Sequence, residues 1–263
     1  MTVGSLLRGW RQRAGISQLE LALRADSSAR HLSFVETGRA RPGRDLLLRL
    51  AGHLDVPVRE RNALLLAAGY APHYPQTPLD DPAMDGLRDG LERMVAGHEP
   101  HPAVVLDGTY TVVAANRAVS LLLDGVDPQL LTPPLNAMRL TLHPRGMAPR
   151  IRNHRQWRGH LLSQMERQLA LVRHPPLAAL YEEVAGYPPP PGLPRDEPAG
   201  ERAAFALPLL LDHDGRTLSF LSTVATFNTP ADVTVSELAV ETFLPADRAT
   251  ADVLHARAAE RDG

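Results

Sequence analysis

Between Ser17 and Glu36 the chain reads SQLELALRADSSARHLSFVE, and this stretch limits the possible folds more than any other. Two short helical patterns stand here with one break between them. Glu20, Leu21 and Ala22 are good helix formers, and Leu21 lies three residues after Gln18. The break is Ala25-Asp26-Ser27, where Asp and Ser favour caps and turns because their side chains compete for backbone N–H groups. A second helix starts from Ser27 or Ser28 and carries Leu32, Val35 and Glu36 at helical spacing, before Thr37-Gly38 closes it. Two helices with so short a break read as a helix-turn-helix, a motif that places its second helix in the DNA major groove.

The flanks extend the pattern. A first helix is expected over Ser5–Arg13 with Leu6, Leu7 and Trp10 on its buried face, and Leu-rich helices over Arg44–Leu54 and Val58–Ala68. From Leu6 to about Ala68 the chain resembles the Xre and phage-repressor (lambda-repressor-like) group of DNA-binding domains. The resemblance rests on the SQLELA run, the Glu36-Thr37-Gly38-Arg39 ending, Arg41-Pro42 and the Leu-rich helices. It implies an all-α, five-helix domain over residues 1–70 that binds double-stranded DNA. It also implies that Arg11 pairs with Glu36, the alternative being a surface Arg11, and that Gln18 touches a phosphate at a helix start where anions are favoured. Ala29, Arg30, Ser33 and Phe34 fall on the base-facing side of the second helix of the motif, and Ser28 at its start is a further DNA-binding candidate. Arg30 is the expected base reader, since Arg meets guanine O6 and N7 with two hydrogen bonds. Phe34 either meets a thymine methyl or packs. Arg39 and Arg41 follow in a loop and are expected to meet backbone phosphate, which positions without specifying.

Charge agrees with this placement. Residues 1–70 hold 11 Arg against 6 Asp and Glu, whereas residues 71–263 hold 17 against 24, so only the first part has the footprint of a polyanion binder. All 28 basic residues other than His are Arg, a bias that assigns no function by itself. The chain has no Cys, which excludes disulfides and thiolate metal sites. It shows no charged-then-apolar leader and no apolar run near the ~18–20 residues of a membrane span. A cytoplasmic protein is the expectation.

Residues 71–83, rich in Pro, read as a stiff linker. A second domain is expected over 84–263. Ala103–Leu106 and Tyr110–Ala114 are β-prone runs around Asp107-Gly108, a hairpin signal, and Asn116 is expected to cap a helix through Leu123. A long helix carries Trp157, Leu161, Leu162, Met165, Leu169 and Val172 on one face. Between Arg139 and Arg173 stand eight Arg and one acid, Glu166. That excess reads either as a solvated or DNA-facing surface, or as a basic mouth receiving an anionic group above an apolar pocket. Pro188 to Gly200 reads as an exposed loop. Phe205–Leu211 and Leu218–Phe227 form a second hairpin through Asp212-His-Asp-Gly215, and Ala246–Glu260 a closing helix. Four β-prone stretches with intervening helices suit an α+β, PAS-like domain.

The chain resembles the MmyB-like family over nearly its whole length. The likeness is carried by Asn136–Leu142 with His143-Pro144-Arg-Gly-Met, Asn153 with Trp157 and His160-Leu161, Ser219–Thr223, Phe227-Asn-Thr-Pro230 and Glu241-Thr-Phe243-Leu-Pro-Ala-Asp247. One departure is the short Ala14-Gly15-Ile16, where many members carry a longer Arg-rich insert. The resemblance implies a transcription regulator whose C-terminal pocket holds a small amphipathic, fatty-acid-like ligand. Arg139, His143, Arg150 and Asn153, with Asn116 nearby, are candidates for the pocket's polar end, each being equally readable as an N-cap or loop anchor. A homodimer is expected, since such regulators read paired half-sites. The other reading makes the second domain a ligand-free dimerisation or partner module. No Gly-x-Ser-x-Gly, Gly-x-x-x-x-Gly-Lys or His-Glu-x-x-His pattern is present, so no catalytic residue, metal site or resident cofactor is expected beyond a bound lipid.

Overall fold

The computed structural model describes residues 2–191 and 206–262. Its helices and strands run, in chain order, α1 (Val3–Arg13), α2 (Gln18–Arg24), α3 (Ala29–Glu36), α4 (Arg44–His53), α5 (Val58–Ala67), α6 (Asp85–Ala96), β1 (Ala103–Leu106), β2 (Val112–Ala115), α7 (Ala137–Leu142), α8 (His154–Leu171), α9 (Pro175–Ala185), β3 (Leu209–His213), β4 (Arg216–Thr226), α10 (Val233–Ser236), β5 (Ala239–Pro245) and α11 (Arg248–Asp262). They fall into two compact units. One comprises the residues up to 77 with 171–173 and 229–236, and the other comprises 78–170, 174–228 and 237 onward.

The first unit is all-helical. Side-chain caps begin its early helices: Thr2 accepts from the Ser5 N–H, Ser17 from Glu20 and Ser28 from His31, each satisfying an otherwise orphaned donor. The turn of the motif closes on Asp26, which takes a left-handed φ of 50°, while the Ser27 N–H returns to the Ala22 carbonyl at 2.8 Å. Asp tolerates that conformation better than most residues. Leu7, Trp10, Leu21, Leu32, Val35, Leu47, Leu50, Leu64 and Leu65 share one core. The segment expected as a linker is divided between the units at Thr77 and Pro78. Its first half is pinned: the Asn62 carboxamide accepts from His73 and Tyr74 and donates to the Tyr74 carbonyl. Two later pieces of chain complete this unit. Asp232 accepts from the Thr77 N–H and hydroxyl, Val233 donates to the Pro75 carbonyl, and Glu60 accepts from the Arg173 N–H.

The second unit is α+β, built on a five-stranded antiparallel sheet in the order β2-β1-β5-β4-β3. The two expected hairpins form β1–β2 and β3–β4, the second turning at Asp214 and Gly215 with φ of 48° and 73°. The stretch 239–245, left unassigned by sequence, is the central strand. Alternation splits the sheet's faces. Ala103, Val105, Leu238 and Val240 meet Leu91 and Val95 of α6. On the other face Val104, Leu106, Leu209, Leu211, Leu218 and Phe220 join Trp157, Leu161 and Met165 of α8, and Leu177, Leu180 and Val184 of α9, in the main core. Full burial of side chains of this size stabilises by about 1.5–3 kcal/mol each. Helix α8 ends at Leu171, so Val172 lies beyond it and belongs to the first unit. Asn116 precedes a 3-10 turn over Arg117–Leu121 and makes no side-chain cap there, in place of the capped helix expected. The expected 188–200 loop lies outside the described residues from 192 onward.

Candidate DNA interface and ligand cavity

Helix α3 is held from behind by a buried carboxylate. Glu36, at its last turn, accepts from Arg11 Nε at 2.6 Å, from the second Arg11 terminal nitrogen at 2.9 Å and from Gln18 Nε2 at 2.8 Å. Arg11 also donates to the Ile16 carbonyl. Side-chain exposure is 12% for Arg11 and 2% for Glu36, so this ion pair is largely removed from water. Burial alone would raise the Glu36 pKa. The Arg11 and Gln18 hydrogen bonds outweigh it and hold the carboxyl below its ordinary value. The expected pair is formed. Gln18, expected on a phosphate at the start of α2, donates its side-chain amide to Glu36.

The opposite side of α3 carries the base-facing candidates. Ser28 and Arg30 are exposed, while Ala29, Ser33 and Phe34 are half-buried. Two guanidinium groups approach the Phe34 ring, Arg30 at 5.5 Å and Arg39 at 6.0 Å from its centre. Such contacts restrict long cationic side chains that would otherwise lose entropy on binding. Arg39 is exposed in the loop after the helix. Arg41 is exposed too, but stands 4.5 Å over the Tyr70 ring and donates to the Gly69 carbonyl. Six of these residues, Ser28, Ala29, Arg30, Ser33, Phe34 and Arg39, thus gather at or beside α3, and Arg41 is braced by the end of the helical unit.

In the second unit an apolar cavity of about 110 Å³ opens between the sheet's core face and the helices. Val104, Val112 and Ala115 line it from β1 and β2, and Met138, Leu140 and Thr141 from α7. Trp157 and Leu161 of α8, Leu209 of β3, and Glu241 and Phe243 of β5 complete the far walls. Among the described residues of the lining, Thr141 and Glu241 are those that carry a hydroxyl or a carboxyl. Glu241 pairs across the ladder with Val104 and with Val224, placing an acid on the core-facing side of the central strand. Burial pushes its carboxyl above the usual carboxylate range, and the Ser222 hydroxyl, donating to Oε1 at 2.5 Å, only partly offsets this.

None of the five residues expected at the pocket's polar end lines this cavity. Asn116 bonds the Ala103 N–H and the Val95 and His101 carbonyls. Asn153 bridges the Pro208 carbonyl and the Leu210 N–H. Arg139 forms a two-pronged pair with Glu183 at 2.7–2.8 Å, and His143 packs its ring edge-on to Tyr187 while accepting from the Arg145 N–H. Arg150 donates to the carbonyls of Leu121, Leu122, Asp124 and Asp212. Arg145, Arg152 and Arg158 are likewise engaged, with Asp127, Asp212 and the Ala185 carbonyl. The expected basic mouth is therefore replaced by Arg side chains tying loops together. Sequence reading missed Glu241, Ser222 and Thr141; the available signal was an acid two residues before Phe243 in a strand. Among the described residues no group of three or more His, Asp or Glu is placed to hold a metal ion, and no helix is long and apolar enough to cross a membrane.

Comparison with known families adds two findings. Residues 87–256 match the MmyB-like transcription regulator ligand binding domain, and residues 7–61 match a helix-turn-helix family. No curated protein matches the chain.

Proposed function

The chain belongs to the MmyB-like transcription regulators, and on that premise we propose that a small amphipathic ligand in the apolar cavity tunes sequence-specific binding of α3 to operator DNA. The observation that carries this reading is the cavity itself, which lies within the part of the chain that matches the ligand-binding family. An apolar cavity of roughly 150 Å³ accepts benzene, so one of about 110 Å³ accepts a short run of methylenes, fatty-acid-like in its apolar body. A ligand-free partner module would have filled that space with its own side chains. Arg30 reads a base edge, Arg39 and Arg41 hold phosphates, and two copies of the chain bind paired half-sites.

Native mass spectrometry of the purified protein, followed by denaturation, tests the ligand reading. A released small molecule near one per chain supports it. A clean mass that stays unchanged after incubation with amphiphiles overturns it. The DNA roles separate by substitution. Arg30→Ala is expected to relax preference at one base position, at about 1–3 kcal/mol, whereas Arg39→Ala is expected to weaken all sequences alike and flatten the salt dependence. Uniform weakening by both in a binding-site selection would remove Arg30 from base reading.

A further inference from the structure

The lining of the cavity bears on the head group of its ligand. A carboxylate entering the cavity would find no Arg or His among the described residues of the lining and one acid, Glu241. Two negative charges in apolar surroundings repel strongly, and one must take a proton. An ammonium meets the reverse situation. Glu241 comes from the central strand, where backbone pairing to β1 and β4 on both sides fixes its position. Ser222, on the neighbouring strand, holds Oε1, while Oε2 has no hydrogen-bond partner among the described residues. The carboxyl is thus oriented by one donor and left open to a second. Trp157 and Phe243 add aromatic surface to the same lining, which also favours a cation over an anion.

We propose that the cavity recognises an apolar amine, a small alkyl- or aryl-ammonium whose N–H groups bond Glu241 Oε2 while its hydrocarbon body fills the apolar walls. This rests on the ligand-binding reading above and replaces the carboxylate head expected from the resemblance. Recognition is a proton-balanced event: Glu241 gives up its proton, or the amine brings its own to a carboxylate already ionised, and the buried product is an ion pair held by Ser222. Thr141, on the opposing helix, contributes a hydroxyl engaged only weakly, with the Met147 sulfur at 3.9 Å.

Titration of the full chain with hexylamine, hexanoate and 1-hexanol, followed by the fluorescence of Trp157 in the lining, tests the proposal with body length held constant. The amine is expected to bind about tenfold or more tighter than the alcohol, and hexanoate weakest, as suits a charge-assisted hydrogen bond in a dry site. Glu241→Gln is expected to remove the amine's advantage over the alcohol. Ala137→Trp, which narrows the lining, is expected to weaken all three. Equal affinities for amine and alcohol, or a preference for hexanoate, overturn the amine proposal and leave the cavity as a ligand site. Binding of none of the three overturns the ligand reading, and the amine proposal falls with it. The comparison of the three head groups on the unaltered protein decides the matter even if Glu241→Gln does not fold.

Discussion

At Glu36, three donated hydrogen bonds converge on a carboxylate that is almost wholly buried. Removing Arg11 leaves that charge with Gln18 alone, so Arg11→Ala is expected to cost about 3–5 kcal/mol and to weaken DNA binding as α3 loosens. Unchanged melting with unchanged affinity would show the pair to be idle. The lowered Glu36 pKa gives a pH signature. Folded Glu36 takes up its proton less readily than unfolded Glu36, so its contribution is complete above the ordinary Glu value and is lost as pH falls below it. The stability gap between the natural protein and Glu36→Gln is thus expected to shrink as pH falls through and below the ordinary carboxylate range in denaturant titrations. Asn153 gives a contrasting case. Its carboxamide satisfies both a carbonyl and an N–H of the segment leading into β3. Asn153→Ala is expected to destabilise by about 1–3 kcal/mol for the groups left unpaired. A calorimetric melt at the natural temperature would place Asn153 outside that role.

Helix α1 meets α3 through a glycine. A Cβ at Gly4 would stand 2.3 Å from the Val35 carbonyl oxygen and 2.7 Å from that of Glu36. Because backbone cannot yield as a flexible side chain does, Gly4→Ala is expected to cost about 1–3 kcal/mol and to displace α3. Gly9, in the same helix, has nothing within 4 Å of such a Cβ. Gly9→Ala is expected to stabilise by about 0.5–1 kcal/mol, and parallel thermal melts of the two variants check the contrast. The helical elements were legible because caps, breaks and apolar spacing all sit within a few residues of one another, as at Ser17, Asp26 and Ser28. Strand β5 was not. Glu241 faces the cavity beside Phe243, and Thr242 bonds Thr223 on the other face at 2.6 Å, so polar residues occupy both faces and the two-residue period is lost. The Arg-rich stretch misled for a related reason. Its partners are carbonyls and acids distant in sequence, such as Asp212 for Arg150 and Glu183 for Arg139, and no local pattern announces them.

For the whole protein, the proposed coupling between ligand and operator is bound by linkage. If a saturating ligand changes DNA affinity by some factor, operator DNA must change ligand affinity by that same factor, on the order of 5–150-fold for couplings of 1–3 kcal/mol. Titrations in both orders are expected to agree, and a clear mismatch would mean that the two sites are not linked at equilibrium. The sheet order has a different consequence, for how the protein is made. Strand β5 lies between β1 and β4, and it is the last strand to leave the ribosome. Until residues 239–245 emerge, the β1–β2 and β3–β4 hairpins each present an unpaired edge, the condition under which nascent strands join the wrong neighbour. The helical unit has most of its chain in hand far earlier. Ribosomes stalled just before Ala239 would therefore carry a chain whose α+β domain is two separate halves, and a stop codon there would abolish the sheet while sparing every hairpin turn.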